Sequence, residues 1–324
     1  MAKADEIAGI ECDGPVTAAV ALVLGCRIEE MCLLRERALD FSNPEGVHDI
    51  RVASRRVRSA LRDFAPYLHK AKLSASVRQL KSIAGKLGVV RDYDVAIIAL
   101  EKLQTKSTPE ISSGLQGIID AQKAKRDPAR KELIRVLSHK TISELKPAFL
   151  RAVASLALPP ASEKGKPRRT RKGSASYKVF ARATLLKRLK ELERLSPSLY
   201  EPHKVEPLHE MRIAAKRLRY ALDLFAQCWG EPLGIFSRQV AQLQTSLGEL
   251  HDCDLWIEHF GKRLGRVKRK TQEQTTPPDE RDAMIWLLSH FSRFRTKHFR
   301  AALARWHEWE AKDFCNRLSA TLRT

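Results

Sequence analysis

Apolar residues recur along most of the chain at three- and four-residue steps, the period of a helix with one buried face. No run alternates apolar and polar positions with the β-branched residues typical of a strand. The pattern predicts helices over about 16–40, 46–66, 71–88, 91–106, 110–126 and 128–155. It predicts six more over about 175–195, 206–229, 232–248, 251–268, 280–310 and 312–322. The start at 128 rests on Asp127 as an N-cap and Pro128 in the first helical position. Gly88 and Gly248, at the ends of two predicted helices, suggest places where helices approach closely. The fold class expected is all-α.

The chain repeats itself. Residues 48–58 read His-Asp-Ile-Arg-Val-Ala-Ser-Arg-Arg-Val-Arg, and residues 209–219 read His-Glu-Met-Arg-Ile-Ala-Ala-Lys-Arg-Leu-Arg, an offset of 161. Both run on to a phenylalanine, Phe64 and Phe225. A second pair follows in the same order at an offset of 160: Arg78-Gln79, Leu87-Gly88 and Arg91-Asp92-Tyr93-Asp94, then Arg238-Gln239, Leu247-Gly248 and His251-Asp252-Cys253-Asp254. A duplicated unit is the simplest account. It predicts two helical bundles, 12–156 and 175–324, related by a pseudo-twofold axis. Residues 157–174 between them are rich in Pro, Gly, Ser and charge and poor in large apolar residues, which reads as a mobile basic linker. A second break is expected at 271–279, around Pro277-Pro278.

Charge changes the picture most. Lys and Arg number 59 against 38 Asp and Glu, a formal +21. Such an excess points to an acidic partner. The helix of the first motif shows how the charge is arranged. At about 100° per residue, His48, Arg51, Arg55, Arg58 and Arg62 fall in one narrow sector, away from Ile50, Val57, Leu61 and Phe64. His209, Arg212, Lys216 and Arg219 repeat the row, which ends sooner because Asp223 stands where Arg62 would. Like charges so spaced destabilise an isolated helix, so a solvated face is the bland reading; its recurrence with a histidine at the same end argues against that. Guanidinium forks match phosphate oxygens, and a linear phosphate chain offers a row of them. Arg78, Arg91 and Arg238 on the following helices are candidates to extend the surface, as is His251 when protonated. Asp92 and Asp252 are expected to cap a helix or hold an arginine of the row.

The six cysteines, Cys12, Cys26, Cys32, Cys228, Cys253 and Cys315, form no C-x-x-C pair. They read as buried free thiols in a reducing cytoplasm. No stretch has the ~20 apolar residues that span a bilayer. Leu24-Gly25-Cys26 loosely imitates a lipoprotein cleavage site, but Asp5, Glu6, Glu11 and Asp13 precede it where a signal wants positive charge.

These paired motifs resemble the CHAD family, the conserved histidine α-helical domain. The resemblance covers most of the chain. It implies two helical bundles with a basic surface or channel between them that binds inorganic polyphosphate, with some members at polyphosphate granules. Carried onto this sequence, the contacts would be His48, Arg51, Arg55 and Arg58, with His209, Arg212, Lys216 and Arg219; Arg62, Arg78, Arg91 and Arg238 join them on the reading above. Arg56 and Arg217 match the motif but point off the rows. Many members carry a triphosphate tunnel domain marked by E-x-E-x-K. Glu308-Trp309-Glu310-Ala311-Lys312 imitates it, but in a helical segment with no length left for a tunnel. The expectation is therefore a stand-alone polyphosphate-binding protein of the cytoplasm, not an enzyme, with no cofactor and no metal. Two other readings compete. Non-specific nucleic-acid binding needs only the charge, to which Arg168, Arg169, Arg171 and Lys172 would add, though the rows lack interleaved aromatics. Metal-dependent phosphohydrolysis is suggested by His48-Asp49 and His251-Asp252, but the surrounding arginines oppose a metal ion, and a histidine-dependent phosphotransfer would use His48 or His209 as nucleophile beside the cationic row.

Overall fold

The structure, a computed structural model, describes residues 7–157, 175–267 and 277–324. The expected linker from 158 onward and residues 271–276 of the second break lie outside the described residues. The fold is all-α: α1 Val16–Leu33, α2 Arg35–Leu39, α3 Pro44–Asp63, α4 Lys70–Gln104, α5 Pro109–Val136, α6 His139–Ala157, α7 Tyr177–Arg194, α8 Val205–Phe225, α9 Glu231–Val267, α10 Pro278–Ala311 and α11 Phe314–Thr321. Among the described residues no helix is long and apolar enough to cross a membrane.

The helices that carry the rows start and stop for local reasons. Asn43 caps α3, its Oδ1 accepting from the Glu45 N–H at 2.9 Å, and Pro44 fills the first position. Pro66, lacking an N–H, follows the end of the same helix. Two expected breaks are absent. α4 runs unbroken through 89–90 for 35 residues, and α9 through 249–250 for 37. A glycine inside a helix costs stability without ending it, and neither site has a proline or a cap to stop the ladder. Pro128 does not open a helix either; it lies inside α5, and the chain breaks at Leu137-Ser138, where Ser138 Oγ accepts from the Thr141 N–H at 3.2 Å.

Nor do Gly88 and Gly248 mark close helix contacts, since a methyl group added at either would meet nothing within 4 Å. Gly88→Ala and Gly248→Ala should each stabilise the protein, by roughly 0.5–1 kcal/mol. Urea denaturation checks this; a lowered midpoint for either variant would contradict it.

The chain groups into two compact units, each drawing on both sides of the 158–174 segment. The first comprises Met1–Asp92, Arg126–Leu186 and Tyr220–Glu231. Its centre is aromatic: Phe64 and Phe225, the phenylalanines that close the two motifs, meet edge to face at 6.1 Å, with Tyr177 and Phe180 packed on both. The second comprises Tyr93–Lys125, Lys187–Arg219 and Pro232–Thr324. It buries Ile97, Leu100, Leu115, Ile118, Phe260, Met284, Leu287 and Phe291 together.

The cysteines depart from expectation. Cys12 and Cys228 form a disulfide in the first unit, bridging 216 residues of sequence. Two free thiols expected from the sequence are thus one crosslink, and cysteine usage no longer argues for a reducing compartment. Cys253 is buried, Cys32 and Cys315 are partly buried, and Cys26 is exposed. Burial pushes the Cys32 thiol up to about 11 and those of Cys253 and Cys315 up to about 12.

Candidate polyanion-binding site

The first row lies along α3 in the first unit. His48, Arg51 and Arg55 are half-buried at its start, and Arg58 and Arg62 are exposed near its end. α4 packs beside it and supplies the partners. Asp92 Oδ1 accepts from Arg51 Nη2 at 3.3 Å, so of its two expected uses Asp92 holds an arginine of the row and caps nothing. Arg91, mostly buried, points to the first turn of α3, with Nη1 3.5 Å from the Pro44 carbonyl and 3.9 Å from Glu45. Burial, then Arg91, holds His48 below the usual histidine range. Arg62 turns back to donate to Ser59 Oγ at 2.7 Å. With Arg58 it edges a cleft of about 380 Å³ whose other cations are Lys70 and Lys81, which belong to neither repeated motif. Arg78 is exposed on α4.

The second row lies along α8 in the second unit, with His209, Arg212, Lys216 and Arg219 all half-buried. His251 of α9 stands where the first row has Arg91, and its Nδ1 is 3.1 Å from Nδ1 of His209. Only one of these nitrogens can carry the proton of that contact, so two imidazolium rings would repel here. Burial, then Arg212, brings His251 down to about 4, and the same causes lower His209. Arg219 Nη1 donates to Gln244 at 3.4 Å. Asp254 holds Arg295 at 2.5 Å, and Arg295 donates to the Pro202 carbonyl at 2.7 Å. Arg238 lines a cleft with residues of α10 and α11.

Arg56 and Arg217 do point off the rows, and they have a shared use that the motif alone does not reveal. Arg56 donates to Glu30 of α1, which also takes Arg27 at 2.8 Å. Arg217 donates to Glu191 of α7, which also takes Arg188 at 3.1 Å. Arg27 and Arg188, like Glu30 and Glu191, stand 161 residues apart, so comparing the two halves further upstream would have found them. Each triad ties the row helix to its neighbour, and thereby fixes the direction in which the row faces.

Among the described residues one group of three potential metal ligands converges, Glu45, His48 and Asp49, with ligand atoms within 4.8 Å. Both carboxylates already face guanidinium groups, Asp49 with Arg37 at 3.1 Å and Glu45 with Arg91 at 3.9 Å. The cluster is part of a cation-rich surface and is better arranged to orient arginines than to attract a second kind of cation.

A family model, the CHAD domain, matches residues 24–261. The chain belongs to the CHAD domain family. It is similar to the crystal structure of the CHAD domain from the plant Ricinus communis, with a TM-score of 0.70 at 18% identity, over 93% of this chain and 95% of that one. It is also similar to PptA from Streptomyces chartreusis, with a TM-score of 0.62 at 15% identity, over 91% of this chain and all of that one. At these identities the likeness to both establishes the CHAD fold alone. An uncharacterized protein of Mycobacterium tuberculosis, Rv2226, is 25% identical over 233 residues, which are 71% of this chain and 43% of that protein. The chain thus spans less than half of that curated relative.

Proposed function

We propose that this CHAD protein binds inorganic polyphosphate through the α3 and α8 rows, as a binding protein and not an enzyme, and that it associates with polyphosphate granules. The carrying observation is the rows themselves: the same cation spacing occurs on two helices, each backed by an Arg–Glu–Arg triad. The cations stand at helical intervals on rigid supports, so little side-chain order has to be imposed on binding a linear phosphate chain. Binding should weaken linearly in log–log form as salt rises, because condensed counterions are released. Titration of long-chain polyphosphate at several salt concentrations tests this; affinity indifferent to salt would sink the reading.

The histidines make binding pH-dependent. Their folded-state values lie below the usual ~6.5, so above that pH they are neutral and add no charge. Bound phosphate favours the imidazolium form. Binding should therefore take up protons, and tighten, as pH falls from about 6.5 toward 4. Without ligand the sign reverses: stability present above ~6.5 is lost as pH falls through the lowered values. Calorimetry in buffers of different ionisation enthalpy measures the uptake. Net uptake at pH 5.5, absent at pH 8 and reduced in His251→Gln, is expected; equal uptake at both pH values would contradict it.

A second reading, single-stranded nucleic acid, is favoured by one observation. On α10, Trp286, His290 and Phe294 stack at four-residue steps, with ring centroids 5.6 and 4.3 Å apart, and Lys297 lies 5.6 Å over Phe294. Aromatics beside cations are what base stacking uses. The ladder lies outside the two rows, and polyphosphate has no base to stack on it.

A further inference from the structure

A second cationic cleft, of about 270 Å³, lies where α9 meets the corner between α10 and α11. Four cations line it, Arg238, Arg305, Lys312 and Arg317, against one carboxylate, Glu308. Glu308 takes Arg305 at 3.0 Å and Lys312 at 2.8 Å, so it holds two of the cations in place without balancing the charge. The corner is made by Asp313 at φ 50°, the one non-glycine residue with positive φ among those described. That conformation is costly for a side chain other than Gly, Asn or Asp, and here it sets Lys312 and Phe314 on the same cleft.

The wall of the cleft supplies the second observation. Trp309 is 4% exposed and stacks on Phe314 at 3.9 Å. Its Nε1–H, a donor only, finds no acceptor among the described residues, whereas Trp306 nearby donates to Glu310 at 2.8 Å. That donor is walled off from solvent, so the demand of the cleft for negative charge comes from its four cations set against Glu308.

We propose that this cleft is a second anion site, independent of the two rows, for a compact anion of one or two phosphoryl groups. Guanidinium forks suit phosphate oxygens. The volume, about 270 Å³, lies at the small end of ligand pockets, which suits a compact anion. Trp309 and Phe314 spend their facing surfaces on each other, which leaves no stacking platform for a base. Of the four cations, the carboxylate and the indole, all but Arg238 lie beyond residue 261, where the family match ends. The site is thus built by the C-terminal helices against α9.

Two sources share this chemistry, a free short phosphoanion and the end of a long polyphosphate chain. Calorimetric titration of the full chain with inorganic pyrophosphate, and separately with long-chain polyphosphate, distinguishes them. The proteins compared are the parent, Arg51→Ala/Arg55→Ala/Arg212→Ala/Lys216→Ala, and Arg305→Gln/Arg317→Gln, each checked by circular dichroism. The expected result is one pyrophosphate site, unchanged in the row variant and weakened roughly tenfold or more in the cleft variant, which keeps long-chain binding. Pyrophosphate binding that survives the cleft substitutions, or is lost with the rows, would overturn the proposal. So would a parent that ignores pyrophosphate while the cleft substitutions weaken long-chain binding, since the cleft would then be an extension of the rows.

Discussion

Replacing Arg51, Arg55, Arg212 and Lys216 together by alanine is expected to weaken long-chain polyphosphate binding by about a thousandfold or more. A hydrogen bond to a charged group contributes roughly 1.5–3 kcal/mol, and each 1.4 kcal/mol is a factor of ten, so four such losses exceed that figure even with strong non-additivity. The salt dependence should flatten too, by up to about 0.7–0.9 in log–log slope for each phosphate that the variant no longer neutralises. Folding should survive. The row side chains are partly or fully exposed, and an ion pair such as Arg51–Asp92 is worth at most about 1 kcal/mol at the surface. Calorimetry alongside thermal denaturation separates the two effects. A variant that is folded and binds as the parent does would place the ligand elsewhere.

The second large effect falls on stability. Glu30 is 15% exposed between Arg27 at 7% and Arg56 at 14%. Glu30→Ala would leave two buried guanidinium groups facing each other without their counter-ion, which costs about 3–5 kcal/mol. The twin residue gives an internal control. Glu191 is 22% exposed, and its partner Arg217 is 34% exposed, so water can replace part of what is lost. Glu191→Ala should therefore cost clearly less. Burial alone would raise the Glu191 carboxyl, and hydrogen bonds from Arg217 and Arg188 outweigh it, leaving it lowered. Equilibrium denaturation of both variants decides the point: equal, small losses would mean that the triads do not fix the row helices.

Much of this site could be read in the sequence because its signals are local and periodic. Arginines at three- and four-residue steps must share a helix face, and a histidine at the same end of both rows recurs at a fixed offset. The rest depends on long-range packing that sequence spacing does not encode. Nothing near Gly88 says whether a helix stops, since a glycine weakens a helix and a neighbouring cap is what ends it. Cys12 and Cys228 pair across 216 residues, and six scattered cysteines do not reveal which two meet. Arg238 reads in sequence as a continuation of the second row, yet α10 and α11 fold onto its side of α9 and place it in another cleft. Glu308 and Lys312, which imitate part of a catalytic motif, form an ion pair across one helical turn, 2.8 Å apart.

Recognition of a spaced phosphate chain, and not charge alone, is the central claim, and one comparison tests it directly. Long-chain polyphosphate and single-stranded DNA of equal total charge would be titrated into the same protein at low and moderate salt. Tighter binding of polyphosphate, with a preference that persists as salt rises, is the result predicted. Equal affinity for both polyanions, vanishing together with salt, would contradict it and leave only a diffuse +21 charge to explain the binding.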